Sequence, residues 1–358
     1  MAAGIISCTK KKKEYRMSFE NIRKIPSPEE IIELSPLSED LKKIKAARDA
    51  ELKRIIAGES GKFLVIVGPC SAEDEDPVCS YVALLAKLYE KVQDKLFIVP
   101  RIYTNKPRTT GEGYMGMLHQ PNPIDEPNMA DGILSLRKLH IRSMRESGLT
   151  AADEMLYTNN LAYVSDILSY IAIGARSVED QQHRLTASGI DVPVGMKNPT
   201  SGDLTVMYNS IQAAQSSHSF IHQDYEVKTN GNEFAHAIMR GSVNKHGFSI
   251  PNYHYEDLLF AADMYNKRNL RNPFIIIDTN HANSGKNFAE QPRIAKEVLH
   301  SRKYSNDIRG IVRGLMIESY IQEGAQKIGG NTYGKSITDP CLGWSQTEEL
   351  LYYMADNV

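Results

Sequence analysis

Eight short apolar runs separated by helical stretches predict an α/β chain folded as a (β/α)8 barrel, with an N-terminal helical extension and a β-hairpin inserted before the sixth strand. The runs are FLVIVGPCS (63–71), KLFIVPRIY (95–103), LTAADEML (149–156), IAIGAR (171–176), VPVGMKNP (192–199), FAHAIMRG (234–241), FIIIDTNHANS (274–284) and IRGIVRGLMIES (308–319). They are apolar without alternation, as expected of parallel strands covered on both faces. Each also ends on a polar or reactive residue: Cys70, Arg101, Glu154, Arg176, Lys197, Arg240, His281 and Glu318. A barrel gathers its C-terminal strand ends at one mouth, whereas an open sheet spreads them along an edge. A doubly wound sheet loses further ground because neither G-x-G-x-x-G nor a P-loop follows the first run.

In chain order, residues 1–60 come first, charged and rich in helix formers. Ser38 before Glu39, Asp40 and Leu41 reads as a helix N-cap, and Gly58 as the helix end. Leu41, Ile44, Ala47, Leu52 and Ile55 make one stripe at near-helical spacing, which must pack on the main body or on a neighbouring subunit. We read 1–60 as an extension serving assembly or regulation, and 61–358 as the catalytic barrel. SFIHQ (219–223), followed by a turn at Asn230-Gly231-Asn232, reads as the inserted hairpin.

Composition removes several function classes. The chain of 358 residues is 24% charged and 41% hydrophobic, ordinary for a globular protein. A net charge of -2 argues against a bulk nucleic-acid binder. No apolar run approaches the roughly 20 residues that span a bilayer. The short apolar patch before the Lys10–Lys13 run has the reverse order of a signal peptide. The four cysteines, Cys8, Cys70, Cys79 and Cys341, are scattered and form no C-x-x-C pair. That pattern suits a reducing cytoplasm better than a secreted disulfide framework.

The strand ends carry the chemistry. Arg101, Arg176, Lys197 and Arg240 would crowd positive charge at the mouth and, unpaired, would repel one another. They call for a small, highly anionic substrate, because arginine forks match carboxylate and phosphate and lysine serves as a point charge. Each alone reads as a surface salt bridge; the set at four strand ends does not. Lys106-Pro107-Arg108-Thr109-Thr110 follows the second run, and its cations and hydroxyls suit a second phosphate. Cys70, His281, Glu318 and Asp339 are metal candidates, a mixed set suited to Mn, Fe, Co or Zn. The first and last strands of a closed barrel are neighbours, so these positions can meet, although spacing alone does not join them.

The motifs GPCSAEDEDP (68–77), KPRTT (106–110), IGAR (173–176), VGMKN (194–198), MRG (239–241), HANSGK (281–286), IES (317–319) and YGKSITDPCLGW (333–344) occur in this order. Together they resemble the 3-deoxy-D-arabino-heptulosonate 7-phosphate (DAHP) synthases of the type I subgroup with an N-terminal extension, over nearly the whole chain from about Ile22. The resemblance implies an aldol-type condensation of phosphoenolpyruvate with erythrose 4-phosphate and water, the first step of the shikimate pathway. It implies a divalent metal held by Cys70, His281, Glu318 and Asp339. It implies that Arg101, Lys106, Arg176, Lys197 and Arg240 hold phosphoenolpyruvate, with Glu154 and the Gly174-Ala175 backbone close by. It puts Arg108 and Thr109 on the aldose phosphate, Asp339 beside the substrate, and Lys106 where it can protonate the new alkoxide. Homodimers or homotetramers are implied as well.

Some positions depart from the family pattern. Relatives often carry Phe-Glu before the Lys-Pro-Arg and Trp-Lys after it; Ser-Glu-Phe is usual where this chain has Asp153, Glu154 and Met155. Relatives also bind an aromatic amino-acid effector between extension and barrel. Here the stretch Asn159–Ala162 lacks the Pro-Gln pair common in regulated members, and Asp191 stands where a small residue is frequent. The effector's identity therefore does not transfer, and its absence is an open reading. Two alternatives remain. One is a 3-deoxy-D-manno-octulosonate 8-phosphate synthase-like enzyme using another aldose phosphate, against which KPRTT and the extension argue. The other is a catalytically dead regulatory barrel, against which the intact metal and anion sets argue.

Overall fold

A computed structural model describes residues 18–108 and 110–358; Cys8, the Lys10–Lys13 run and Thr109 lie outside the described residues. Eight parallel strands form one sheet: β1 (Phe63–Gly68), β2 (Leu96–Pro100), β3 (Ala152–Glu154), β4 (Tyr170–Ile173), β5 (Val194–Lys197), β6 (His236–Met239), β7 (Ile275–Asp278) and β8 (Val312–Glu318). Neighbours run in the order β2, β1, β8, β7, β6, β5, β4, β3. The ring then closes between β2 and β3 at one isolated bridge, Arg101 to Ala152, where Ile102 N donates to Ala152 O at 2.9 Å. This is the (β/α)8 barrel that the eight runs predict.

The strands lack alternation because they feed two cores. In β1, Leu64 and Ile66 point into the barrel, while Phe63, Val65 and Val67 pack outward under the helices. Phe97 and Val99 of β2, and Phe274 and Ile276 around β7, continue the inner set. Side chains of period two on a sheet buried on both faces leave no polar stripe.

Helix α1 (Pro28–Leu34) and helix α2 (Glu39–Ala57) precede the barrel. Ser38 accepts from Leu41 N as the N-cap of α2, and Gly58 ends it at φ 81, a left-handed cap that glycine adopts without strain. The stripe resolves to the main body: Leu52, Ile55 and Ile56 join the inner core and plug the base of the barrel. Arg313 holds the open end of α2, donating to Ile55 O and Ile56 O, both at 2.8 Å.

Helices α3 (Glu75–Val92), α4 (Met129–Ser147), α5 (Gln181–Ala187), α6 (Leu204–Ala214), α7 (Tyr255–Asn266), α8 (Gln291–Tyr304), α9 (Asn306–Ile311) and α10 (Trp344–Asn357) complete the chain. Two boundaries differ from expectation. The eighth run starts as helix α9, capped by Ser305, so β8 begins only at Val312. The hairpin does precede β6, as Ser219–His222 paired with Tyr225–Lys228. Its turn, however, falls at Gln223–Asp224, where Gln223 takes φ 53. Asn230-Gly231-Asn232 instead steers the chain back to the barrel, with Asn232 Nδ2 donating to Val192 O at 2.9 Å.

Candidate active site

Cys70 follows the end of β1, whose Gly68 pairs with Glu318 at the end of β8. The next segment is stitched to β8: Tyr320 N donates to Leu342 O at 2.8 Å and Leu342 N to Glu318 O at 3.0 Å. A hydroxyl contact of 2.9 Å between Ser71 and Thr338 ties it to the Cys70 loop. These backbone links carry Asp339 to the mouth. Cys70 Sγ lies 3.2 Å from Asp339 Oδ2.

The donor set fits a divalent metal. Ligand atoms of Cys70, Glu318 and Asp339 all lie within 4.8 Å of one another. Glu318 Oε1 is buried without a hydrogen bond. Arg101 Nη2 stands 3.0 Å from that oxygen as an ion pair, but out of line for donation, which leaves lone pairs free. His281 stands at the edge of the trio, its Nε2 3.9 Å from Glu318 Oε1. It adopts φ 50, a left-handed backbone unusual for histidine, which turns the ring back toward the strand ends. Burial and Glu318 push the Cys70 thiol up to about 11, against the pull of Lys106. A thiolate there needs a cation beside it.

One cation already stands among these groups. Lys106 Nζ donates to Cys70 Sγ and lies 3.3 Å from Asp339 Oδ2. Burial disfavours its charge, but Cys70, Glu318 and Asp339 outweigh that and raise its pKa. The same opposition holds Asp339 well below the usual carboxylate range.

The four strand-end cations differ in their partners. Arg101 is buried, faces Glu318, donates to Cys70 O at 3.0 Å and lies 3.7 Å over the Tyr103 ring. Lys197 is buried with Nζ 3.2 Å from Asp278 Oδ2. Two of the four are thus balanced by protein carboxylates, so the repulsion expected from the sequence is smaller than four bare charges would give. Arg240 is the group with spare capacity: its Nη1 is buried without a partner, and burial lowers its pKa. Arg176 is exposed and electrostatically felt by Arg240. Glu154 lies against Gly174, where a Cβ would meet Glu154 Oε1 at 2.2 Å, so only glycine leaves room for the carboxylate. Ala175 is half-buried beside it in sequence. Arg108 is turned to its own loop, with Nε donating to Tyr114 O at 2.9 Å, and has no contact with the metal candidates. Thr109 lies outside the described residues.

Several supporting residues escape the sequence argument. Asp278 ends β7 and accepts from His281 Nδ1 at 3.1 Å, which leaves Nε2 toward Glu318. Burial opposes its charge, yet His281, Lys197 and Arg240 together hold it far below the carboxylate range. An acid three residues before a candidate histidine was a readable signal. Asn280 Nδ2 donates to Glu318 Oε2 at 2.6 Å. Gln291 clamps the Glu318 backbone, accepting from Glu318 N and donating to Glu318 O, both at 2.8 Å. Asp153 is buried and accepts from Thr104 N at 2.9 Å and Glu154 N at 2.7 Å, holding the chain just before KPRTT. Nothing local in the sequence marks Gln291 or Asp153 as a clamp.

Comparison with known proteins follows this geometry. Residues 38–352 match the DAHP synthetase I family. The chain belongs to that family. It is 35% identical over 349 residues to phospho-2-dehydro-3-deoxyheptonate aldolase of Haemophilus influenzae, covering 95% of this chain and 93% of that protein. The Phe-sensitive phospho-2-dehydro-3-deoxyheptonate aldolase of Escherichia coli K12 is 34% identical over 350 residues, covering 96% and 97%. The Trp-sensitive enzyme of the same strain is 35% identical over 315 residues, covering 86% and 87%. Among solved structures, phospho-2-dehydro-3-deoxyheptonate aldolase of Francisella tularensis SCHU S4 superposes with a TM-score of 0.87 at 30% identity, covering 96% of this chain and 98% of that one. Among the described residues, no helix is long and apolar enough to cross a membrane.

Proposed function

We propose that this DAHP synthetase I family member condenses phosphoenolpyruvate with erythrose 4-phosphate and water, giving 3-deoxy-D-arabino-heptulosonate 7-phosphate and phosphate. The observation that carries the reading is the joining, in one barrel mouth, of the Cys70–Glu318–Asp339 trio with buried Arg101, Lys197 and Arg240. Cys70, His281, Glu318 and Asp339 would hold a divalent metal. When bound, such an ion supplies Lewis-acid polarisation of an aldehyde oxygen.

The chain's own residues account for the rest. Arg240, with Nη1 unpartnered, and Arg176 at the end of β4, two strands away, bind the phosphate and carboxylate of phosphoenolpyruvate. Lys197 and Arg101, pinned by Asp278 and Glu318, orient it so that carbon 3 faces the aldehyde. As the carbon–carbon bond forms, positive charge develops at carbon 2, water adds there, and phosphate leaves with cleavage of its carbon–oxygen bond. Glu154, whose carboxylate lies against Gly174, would take the proton that this water loses. Lys106, held protonated by its neighbours, donates its proton to the aldehyde oxygen as negative charge grows there. Arg108 and Thr109 bind the aldose phosphate.

Steady-state phosphate release tests this directly, with erythrose 4-phosphate and arabinose 5-phosphate compared on metal-stripped and reconstituted enzyme. Turnover is expected with erythrose 4-phosphate and only after metal is restored. Full activity after complete chelation sinks the metal assignment, and preference for arabinose 5-phosphate sinks the substrate assignment.

The Phe-sensitive and Trp-sensitive names of the Escherichia coli relatives point to aromatic amino acids as candidate effectors. Leu161 and Asp191, both at sequence departures, line one cavity of about 340 Å³ together with Phe220, His222 and Val227. Titrating activity with each aromatic amino acid decides whether the chain is regulated.

A further inference from the structure

At the base of the barrel, away from the mouth, lies a cavity of about 580 Å³ lined by Ser60, Lys62, Asn266, Asn306, Arg302 and Arg313. Its volume is in the range of small-molecule sites, roughly 300–1,000 Å³. Arg302, in the last turn of α8, stacks 4.6 Å over the Phe63 ring. Its Nε is buried without a partner, and among the described residues it makes neither a hydrogen bond as donor nor an ion pair.

Its nearest charged neighbours are of the same sign. Arg309 spends Nε on Arg302 O at 3.2 Å and Nη2 on Lys303 O at 3.4 Å. Arg313 spends both terminal nitrogens on backbone carbonyls of α2 and on Pro273 O. The hydrogen bonds these two guanidiniums make go to neutral oxygens, Arg313 Nε is buried without a partner, and among the described residues neither side chain has an ion pair. Burial first, then Arg309 and Arg313, push the Arg302 guanidinium down to about 10. Lys62 on the same wall is only loosely paired, 3.9 Å from Glu51. Asp307 on the rim makes no ion pair among the described residues. Lys62, Arg302 and Arg313 outnumber that one carboxylate; a concave site with an excess of positive charge concentrates anions, and a guanidinium fork matches a phosphoryl group with two parallel bonds.

We propose that this cavity is a second anion site, which takes the phosphoryl group of a small phosphorylated ligand through the free edge of Arg302, assisted by Lys62. An occupant would tie the α8–α9 corner to the start of β8 and the end of α2. The inference does not depend on the chemistry assigned to the mouth, because the two sites lie at opposite ends of the barrel.

Equilibrium dialysis of the full-length, metal-loaded enzyme tests it, with inorganic phosphate, pyrophosphate and glycerol 3-phosphate as probes. Wild type is expected to bind one more equivalent than Arg302→Gln, whose kcat and KM stay unchanged because Arg302 is remote from the mouth. Arg302→Lys, which keeps the charge but loses the fork, is expected to weaken the extra equivalent about tenfold, and it answers the same question if Arg302→Gln does not fold. Extra binding of inorganic phosphate or pyrophosphate supports a free-anion site; extra binding of glycerol 3-phosphate alone supports an organic phosphate. Equal stoichiometry in wild type and both variants, with every probe, overturns the proposal.

Discussion

At the mouth of the barrel Arg101, Lys197, Asp278 and Glu318 are buried and charged, each facing an opposite charge; at the base His236 is equally buried and carries none. His236 Nδ1 donates to Phe234 O at 2.8 Å, so the other nitrogen accepts from Tyr170, also at 2.8 Å. That arrangement uses both nitrogens of a neutral ring. Burial, with Arg313 adding repulsion, lowers its pKa to about 4. Desolvation penalises charge at both ends, and the neighbours decide the result. Where carboxylates and cations interleave, all stay ionised. Where the neighbours are a phenol, a carbonyl and an arginine, the group stays neutral.

Removing a partner should expose this difference most sharply. Glu318→Ala leaves Arg101 buried and uncompensated, which is expected to cost about 3–5 kcal/mol in chemical denaturation and to abolish turnover. A loss below about 1 kcal/mol would mean that the mouth is wetter than its packing implies.

A pH effect should come next. Between about pH 6.5 and 4 the unfolded chain protonates His236 while the folded chain does not, so stability falls as pH drops through that window. Some 2.5 pKa units at about 1.4 kcal/mol each put the loss at about 3 kcal/mol by pH 4. Other groups titrate there too, so the measurement is the difference between wild type and His236→Gln. A gap that stays constant with pH contradicts the neutral assignment.

The smallest expected effect sharpens the mouth itself. Asp278→Asn keeps the shape but loosens the His281 ring, and is expected to weaken metal binding about 10–100-fold in a chelator competition that needs no turnover. Unchanged affinity would show that the left-handed backbone of His281 alone fixes its ring.

The strand ends were readable because a barrel converts one-dimensional order into a ring: Cys70 and Glu318 meet because β1 and β8 are neighbours, and Lys197 at the end of β5 reaches Asp278 at the end of β7. The α2 caps were readable because Ser38 and Gly58 act locally. Residues 308–311 misled because an apolar run suits a buried helix turn as well as a strand, and only the Ser305 cap separates them. The hairpin turn misled because Gln223 adopts a positive φ where Asn-Gly was the stronger signal. Gln291 and Asp153 were silent because their partners, Glu318 and Thr104, lie far away in sequence. Partner identity at the mouth was equally silent: four cations could be counted, but not that Glu318 and Asp278 answer two of them.

The junction between β2 and β3 gives the molecule a mechanical character. Eight strands in a row share seven laddered seams, and the hoop is fastened by a single backbone bridge, Arg101 against Ala152, backed by the side chain of Asp153 on Thr104 N. The backbone of Arg101 is half of that bridge, and its guanidinium is the counterweight to Glu318 across the barrel top. The charge that Glu318 presents to the mouth is thus balanced by a residue whose backbone sits at the seam without a ladder.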